Sequence, residues 1–223
     1  MAETVLVVGA HPDDEVLGPG GTLSKHADKG DEVHVLIITE GATTQYEDEA
    51  LVKQKRADAR SCAAKLGLKE VHFGGLTDMK LDTTAHIEVN AVIEEVIEAI
   101  TPDVIYTHSP HEVNKDHVAV YESTLVAARP ESGVDRVYAY ETPSSTEWTG
   151  GCRRQFSPDR YVDISGYVDT KIEAFLEYDM EVREFPHPRS EQAIQARATT
   201  RGTESGFKAA EAFSLVVARD SKI

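Results

Sequence analysis

Apolar residues recur along this chain in short blocks separated by longer amphipathic stretches. Val5 to Val8 form an unbroken run of valine and leucine ended by Gly9, and Glu32 to Thr39 carry a second such run. Short apolar runs of this kind mark strands covered on both faces. Between them, the stretch from Gly20-Gly21 to Lys29 has helical spacing and closes on Gly30, a residue suited to a helix C-cap. The alternation continues with a helix over about Glu49–Leu66 stopped by Gly67, a strand at Glu70–Phe73, a helix over His86–Ile100 and a strand at Val104–Thr107 behind Pro102. This order predicts a doubly wound, Rossmann-like α/β fold: a mostly parallel sheet, helices on both faces, and right-handed crossovers.

Beyond Arg136 the pattern changes. A strand at Val137–Tyr140 runs into a segment rich in Ser, Thr, Gly and Pro that reaches about Pro158. So long an irregular stretch is read as a functional lid rather than an ordinary connection. Helices near Val168–Val182 and Ser190–Arg201 follow, and no internal repeat divides the chain. The expectation is one domain over residues 1–223, in which the part from about 137 supplies the lid loop and extra helices.

Charge narrows the partners. Lysine and arginine total 23 against 39 aspartate and glutamate, a formal net charge of -16. Such a surface repels phosphate backbones and anionic lipid headgroups, so neither nucleic acid nor membrane insertion is expected. Cys62 and Cys152 have neither the number nor the spacing of a disulfide framework or a Cys-x-x-Cys site. Met1-Ala2-Glu3-Thr4 leads straight into a strand without a basic and apolar leader. These features predict a cytoplasmic protein.

Candidate chemistry is concentrated after the first strand, in Gly9-Ala10-His11-Pro12-Asp13-Asp14-Glu15. Ligands of open α/β sheets bind beyond the carboxyl ends of the strands, where these side chains would lie. His11 and Asp14 are three residues apart, so a tight turn can aim an imidazole nitrogen and a carboxylate oxygen at one point while Asp13 faces the adjacent position. That suits a metal with a base; the other reading is an acidic turn with a helix-capping histidine. A catalytic zinc keeps three protein ligands and one open position. The strand at Val104–Thr107 is followed by His108, His111, Asn114, Asp116 and His117, a second metal-competent set at the same sheet edge. Asp116 is either an orienter of a ligand histidine or a helix N-cap. Phe185-Pro186-His187-Pro188-Arg189 reads as a rigid structural loop.

Ala10-His11-Pro12-Asp13-Asp14-Glu15, the following Gly20-Gly21 and the later Asn114-Lys115-Asp116-His117 resemble the PIG-L or LmbE-like family of zinc-dependent N-acetylglucosaminyl deacetylases. The likeness continues through Arg56, Leu66-Gly67, Gly75-Leu76-Thr77-Asp78, Tyr140-Glu141, Arg201-Gly202 and Ala210-Glu211-Ala212-Phe213. It implies one zinc or similar divalent ion per chain on His11, Asp14 and His117, with Asp13 as general base. Arg56 and Asp78 then hold sugar hydroxyls or a neighbouring anionic group; read without the resemblance, they are a helix-surface ion-pair residue and a turn residue. The implied substrate is a small N-acetylated sugar conjugate, and the implied assembly a homo-oligomer.

Asn114 departs from the pattern, because many family members carry there a histidine thought to polarise or protonate the reacting amide. The resulting expectation is that the Asn114 amide steadies the oxyanion while Asp13 returns its proton to the leaving nitrogen, with His111 and His187 as alternative acids. Two further readings stay open. Two histidines and a carboxylate also form the site of non-haem iron oxygenases, and the same fold can serve as a non-catalytic binding module.

Overall fold

Val5 and Val7 point to one side of the first strand and Leu6 and Val8 to the other, and none of the four has exposed surface. A strand with apolar side chains on both faces belongs in the middle of a covered sheet. The computed structural model, which describes residues 2–41, 49–151 and 154–219, has it there. In chain order the strands and α-helices are β1 (Thr4–Gly9), α1 (Asp14–Leu17), α2 (Gly20–Asp28), β2 (Glu32–Thr39), α3 (Glu49–Leu66), β3 (Glu70–Leu76), α4 (His86–Ile100), β4 (Val104–His108), α5 (Lys115–Ala127), β5 (Arg136–Tyr140), β6 (Arg160–Asp163), α6 (Val168–Phe175), α7 (Glu191–Ser205) and β7 (Ala210–Ala218).

The seven strands lie in the order β3-β2-β1-β4-β5-β7-β6. The first five are parallel, and β7 runs antiparallel to both β5 and β6. Val89, Ile93 and Ile97 of α4 and Val120 of α5 cover the face carrying Leu6 and Val8. Leu23 of α2, Ala59 and Cys62 of α3 and Phe175 of α6 cover the other. The chain winds outward from β1 to β3, then crosses back to β4 on the far side of β1. The carboxyl ends of β1 and β4 therefore border the crevice at the switch point of a doubly wound sheet.

The structure departs from expectation at five places. The first-motif loop ends in the short helix α1, and α5 starts at Lys115, two residues before His117. The helix expected to reach Val182 stops at Phe175, because Tyr178 turns inward to donate its hydroxyl to Glu15. The additional strands β6 and β7 close the sheet; β6 is only four residues long, too short to announce itself by alternation. The first part of the segment expected as a lid is packed against the core through buried Thr142, Ser145 and Thr146, while Gly150, Gly151, Arg154 and Gln155 are exposed. Cys152 lies outside the described residues, and Cys62 is a buried free thiol.

One buried ion pair ties the late strand β7 to the first-motif region. Lys171 Nζ donates to Glu211 Oε1 at 2.6 Å and to the carbonyls of Leu17 and Gly18 at 3.0 and 2.8 Å. Glu211 also accepts the N–H groups of Gly21 and Thr22 at 2.9 and 2.7 Å, supplying acceptors that the first turn of α2 lacks. Gly18 is required beside them, since a Cβ there would lie 2.4 Å from the Tyr140 ring.

Glu211→Ala would leave Lys171 buried without its partner and the two α2 N–H groups without acceptors. The expected cost is about 3–5 kcal/mol, or a fall in Tm of about 6–20 °C for a chain of this size. Calorimetry checks it; an unchanged Tm would show that the clamp adds no stability.

Candidate metal centre

The loop after β1 is shaped by its own acidic residues. His11 N–H donates to Asp14 Oδ2 at 2.8 Å, and Leu17 N–H to the carbonyl of Asp13 at 2.9 Å, which starts α1. Asp13 itself has φ 121 and ψ -24, a strained backbone for a non-glycine residue. Its N–H is held by Glu15 Oε2 at 3.1 Å, while the other Glu15 oxygen accepts from Tyr178. Burial pushes the Glu15 carboxyl up to about 7, against the Tyr178 hydrogen bond that favours its charge.

Across the crevice, Asn114 caps α5 by accepting Asp116 N–H at 2.9 Å, and the first turn of that helix presents His117 toward the β1 loop. His11 Nδ1 then lies 3.2 Å from His117 Nε2 and 3.4 Å from Asp14 Oδ2, and His117 Nε2 lies 3.5 Å from Asp14 Oδ1. These separations approximate the edge of a tetrahedron with metal–ligand bonds of about 2.0–2.1 Å.

The partners on the far side of each ring decide what the inner atoms are. His11 Nε2 faces Asp116 Oδ2 at 3.2 Å and Asp78 Oδ1 at 3.1 Å, and His117 Nδ1 faces Glu112 Oε2 at 3.3 Å. Carboxylates only accept, so the outer nitrogens carry the protons and the inner pair present lone pairs to each other. Asp14 Oδ1 is buried beside them with no hydrogen-bond partner. Three lone pairs converging in a buried pocket repel one another unless a cation lies between them. The residues present therefore fit a divalent metal, with His11, Asp14 and His117 as its holders.

The surroundings favour positive charge at this point, which either a proton or a metal cation can supply. Burial opposes charge on His11, yet its hydrogen bonds to Asp116, Asp14 and Asp78 outweigh that and raise the ring well above its ordinary value, so a bound metal would replace a proton on the inner nitrogen. Burial also opposes charge on Asp14, but the His117 and His108 rings outweigh it and hold the carboxyl well below the usual range. Asp13 differs: burial pushes it up to about 8, although Arg189 pulls it down.

The remaining sequence candidates fall as follows. Asp116, whose oxygens also accept Met79 and Leu81 N–H at 2.7 and 3.0 Å, orients His11 and is not the helix cap. Asn114 is that cap, and its Nδ2 lies 3.9 Å from Met79 Sδ. Asp78 is buried against His11 Nε2. Arg56 is held by Glu40 at 3.3 Å and lies over the Phe73 ring. His111 donates its N–H to Ser109, and His187 Nδ1 accepts Arg189 N–H at 3.1 Å with its ring against Trp148.

Two residues of the site, Glu112 and Arg189, were not singled out from sequence, and His108 was named only as one of a metal-competent set. Glu112 braces His117 and also accepts from Thr146. His108 is fully buried, stacks on His117 at 3.9 Å and meets Thr142 Oγ1 at 3.1 Å; burial and the His117 ring push it down to about 4. Arg189, from the segment read as structural, brings Nη1 to 3.1 Å from Asp13 Oδ2. Glu112 lies just before the second motif, where a carboxylate among histidines was a usable signal; Arg189 carried none.

A family profile described as PIG-L, GlcNAc-PI de-N-acetylase, matches residues 6–128. An uncharacterized deacetylase, YaiS, of Escherichia coli K12 is 31% identical over 150 residues, covering 63% of this chain and 75% of that protein. The diacetylchitobiose deacetylase of Thermococcus kodakarensis is 27% identical over 223 residues, covering 95% and 82%. The solved 4-carboxy-2-hydroxymuconate hydratase of Pseudomonas putida KT2440 has the same fold, with TM-score 0.76 at 22% identity and 99% of each chain covered.

Two sets of variants test the ligand assignment by metal analysis and titration calorimetry. His117→Ala is expected to lose stoichiometric metal, and Glu112→Gln and Asp116→Asn to weaken its binding about 10- to 100-fold each. Stoichiometric metal in His117→Ala would contradict the assignment.

Proposed function

The chain belongs to the PIG-L, GlcNAc-PI de-N-acetylase family, and we propose that its own reaction is metal-dependent hydrolysis of the N-acetyl amide of an N-acetylglucosamine-type sugar or sugar conjugate. The observation that carries this reading is the meeting of His11, Asp14 and His117, with Asp13 next to Asp14 in the same loop and paired to Arg189. The names of the relatives supply the substrate class.

Zinc is the ion we favour, held by those three residues; when bound, it lowers the pKa of a coordinated water from about 15.7 to roughly 7. Asp13 takes the proton of the attacking water. The water oxygen bonds to the acetyl carbon, and the carbonyl electron pair moves to oxygen. As the C–N bond breaks, its pair goes to nitrogen, which takes the proton Asp13 has been holding. Acetate and a free amine leave. Neither His111 nor His187 makes a contact with Asp13 in the described residues, so we assign one carboxylate to both proton transfers.

Asp116, Asp78, Glu112 and His108 act as positioning residues that fix the ligand rings. This reassigns Asp78 and Asp116 from substrate contact and catalysis to support. Arg56, near the carboxyl end of β2, remains our candidate for a rim contact with substrate. No described helix is long and apolar enough to cross a membrane, and with a net charge of -16 a small soluble substrate in the cytoplasm is the reading we keep. An oxygenase at this site would leave Asp13 without a task.

Asp13→Asn is expected to keep its metal and lose about 10²- to 10⁴-fold in kcat. The assay is acetate release from N-acetylglucosamine, diacetylchitobiose and N-acetylglucosaminyl conjugates. Turnover near the parent rate, or activity lost only in step with metal, would contradict the role given to Asp13. Absence of acetate from every substrate would contradict the reaction itself and leave a hydratase-like water addition to be tested.

A further inference from the structure

Amide hydrolysis builds negative charge on the carbonyl oxygen, and a site that accelerates it places hydrogen-bond donors where that charge develops. Asn114 stands where a donor would be sought, but capping α5 fixes the direction of its amide. Its Oδ1 accepts Asp116 N–H at 2.9 Å and its Nδ2 lies near Met79 Sδ. A cap of this kind is a structural commitment, because turning the amide toward substrate would uncap α5.

On the other side of Asp13 stands Arg189. Its backbone is drawn into a tight turn: Arg183 N–H donates to the Arg189 carbonyl at 3.2 Å, and Arg189 N–H donates to His187 Nδ1 at 3.1 Å. The side chain is fixed by Nη1 donating to Glu181 Oε2 at 2.6 Å and Nε donating to Ser144 Oγ at 2.9 Å. Glu181 is in turn held by Lys55 Nζ at 2.6 Å. The result is a half-buried chain of alternating charge, Lys55, Glu181, Arg189, Asp13, that ends on the buried base.

The last link differs from the others. Arg189 Nη1 is 3.1 Å from Asp13 Oδ2, yet that buried oxygen receives no aligned hydrogen bond. Among the described residues, Arg189 Nη2 has no hydrogen-bond partner either. The guanidinium is anchored by Glu181 and Ser144 and leaves donor capacity beside the base unspent. A water within about 2.6–3.2 Å of Asp13 is positioned to lose its proton, and the same guanidinium flanks the base on which that water and its target carbonyl must converge.

We propose that Arg189 is the donor that stabilises the negative charge on the acetyl oxygen, a task for which the capping role of Asn114 leaves it badly directed. Arginine stays protonated throughout, so it supplies charge and N–H groups and no proton. As the water oxygen bonds to the acetyl carbon, the displaced carbonyl pair is met by the guanidinium. When that pair re-forms the C=O bond, the C–N bond breaks and Asp13 delivers its proton to nitrogen. This inference rests on the amidohydrolase reading above.

The test uses metal-loaded protein and the variants Arg189→Ala and Arg189→Lys, with melting temperature and metal content measured for each. Arg189→Ala is expected to lose about 10²- to 10³-fold in kcat, as for one oxyanion donor, with KM changed far less. Arg189→Lys, which keeps a charge, is expected to lose less. Added guanidinium ion should restore part of the kcat of Arg189→Ala, which a merely structural defect would not permit. A second readout is the affinity of a methylphosphonamidate of glucosamine, whose tetrahedral phosphorus and anionic oxygen imitate the intermediate. Its binding should weaken in Arg189→Ala by a factor similar to the loss in kcat/KM, while binding of glucosamine is unchanged.

A kcat in Arg189→Ala close to that of the parent, a loss confined to KM, or an unaltered affinity for the phosphonamidate would each overturn the proposal. Loss of kcat through unfolding or metal loss, without guanidinium rescue, would also overturn it. If the parent protein releases no acetate from any N-acetyl sugar, the amidohydrolase reading fails and this inference falls with it. An active parent with an equally active Arg189→Ala defeats the inference alone.

Discussion

Three lone pairs, on His11 Nδ1, His117 Nε2 and Asp14 Oδ1, converge in a buried pocket, and everything around them is consistent with a cation between them. The pocket is acidic well beyond these ligands. Asp13, Glu15, Asp78, Glu112 and Asp116 are all buried nearby, and Arg189 supplies compensating positive charge beside Asp13. Desolvating so many carboxylates is costly unless each is hydrogen-bonded, paired or bound to metal. The outer carboxylates meet that condition through the rings and backbone N–H groups they hold. Asp13 meets it least well, and a carboxylate whose charge is only weakly supported is suited to accepting a proton and giving it back.

The fold serves this pocket by bringing together parts of the chain that are remote in sequence. The β1–β4 switch point provides the two ligand-bearing loops, and the antiparallel return of β7 provides Glu211, which with Lys171 fixes the α1–α2 turn behind Asp14. Tyr178, placed by the early end of α6, braces Glu15 and through it the strained backbone of Asp13. The long irregular segment after β5 supports the site from below, with Thr142 on His108 and Thr146 on Glu112.

Much of this was legible in the sequence, for physical reasons that can be named. The parallel core follows from apolar runs with no polar face, and the first motif follows from a histidine and a carboxylate three residues apart at a strand end. The assignment of His117 among several nearby candidates rested on resemblance, because spacing alone did not separate it from His108 or His111. Side-chain direction was the missing information. Asp116 turns to His11 across the crevice rather than to its neighbour His117, and Asp78 stands against the same His11 nitrogen. Arg189 was illegible, since its proline-flanked segment gives no periodic pattern and its contact with Asp13 exists only in three dimensions. Strand β6 and the early stop of α6 were hidden similarly, one by brevity and the other by a long-range hydrogen bond.

The central claim is that the converging lone pairs are a metal site with Asp13 beside the ion and not bound to it. Anomalous diffraction at the zinc edge, on crystals of zinc-loaded protein, addresses that claim most directly. The account predicts one strong peak per chain between His11 Nδ1, Asp14 and His117 Nε2, with Asp13 outside bonding distance of the metal. A peak on the Asp78 and Asp116 side of His11, direct ligation by Asp13, or no ordered metal at all would contradict it.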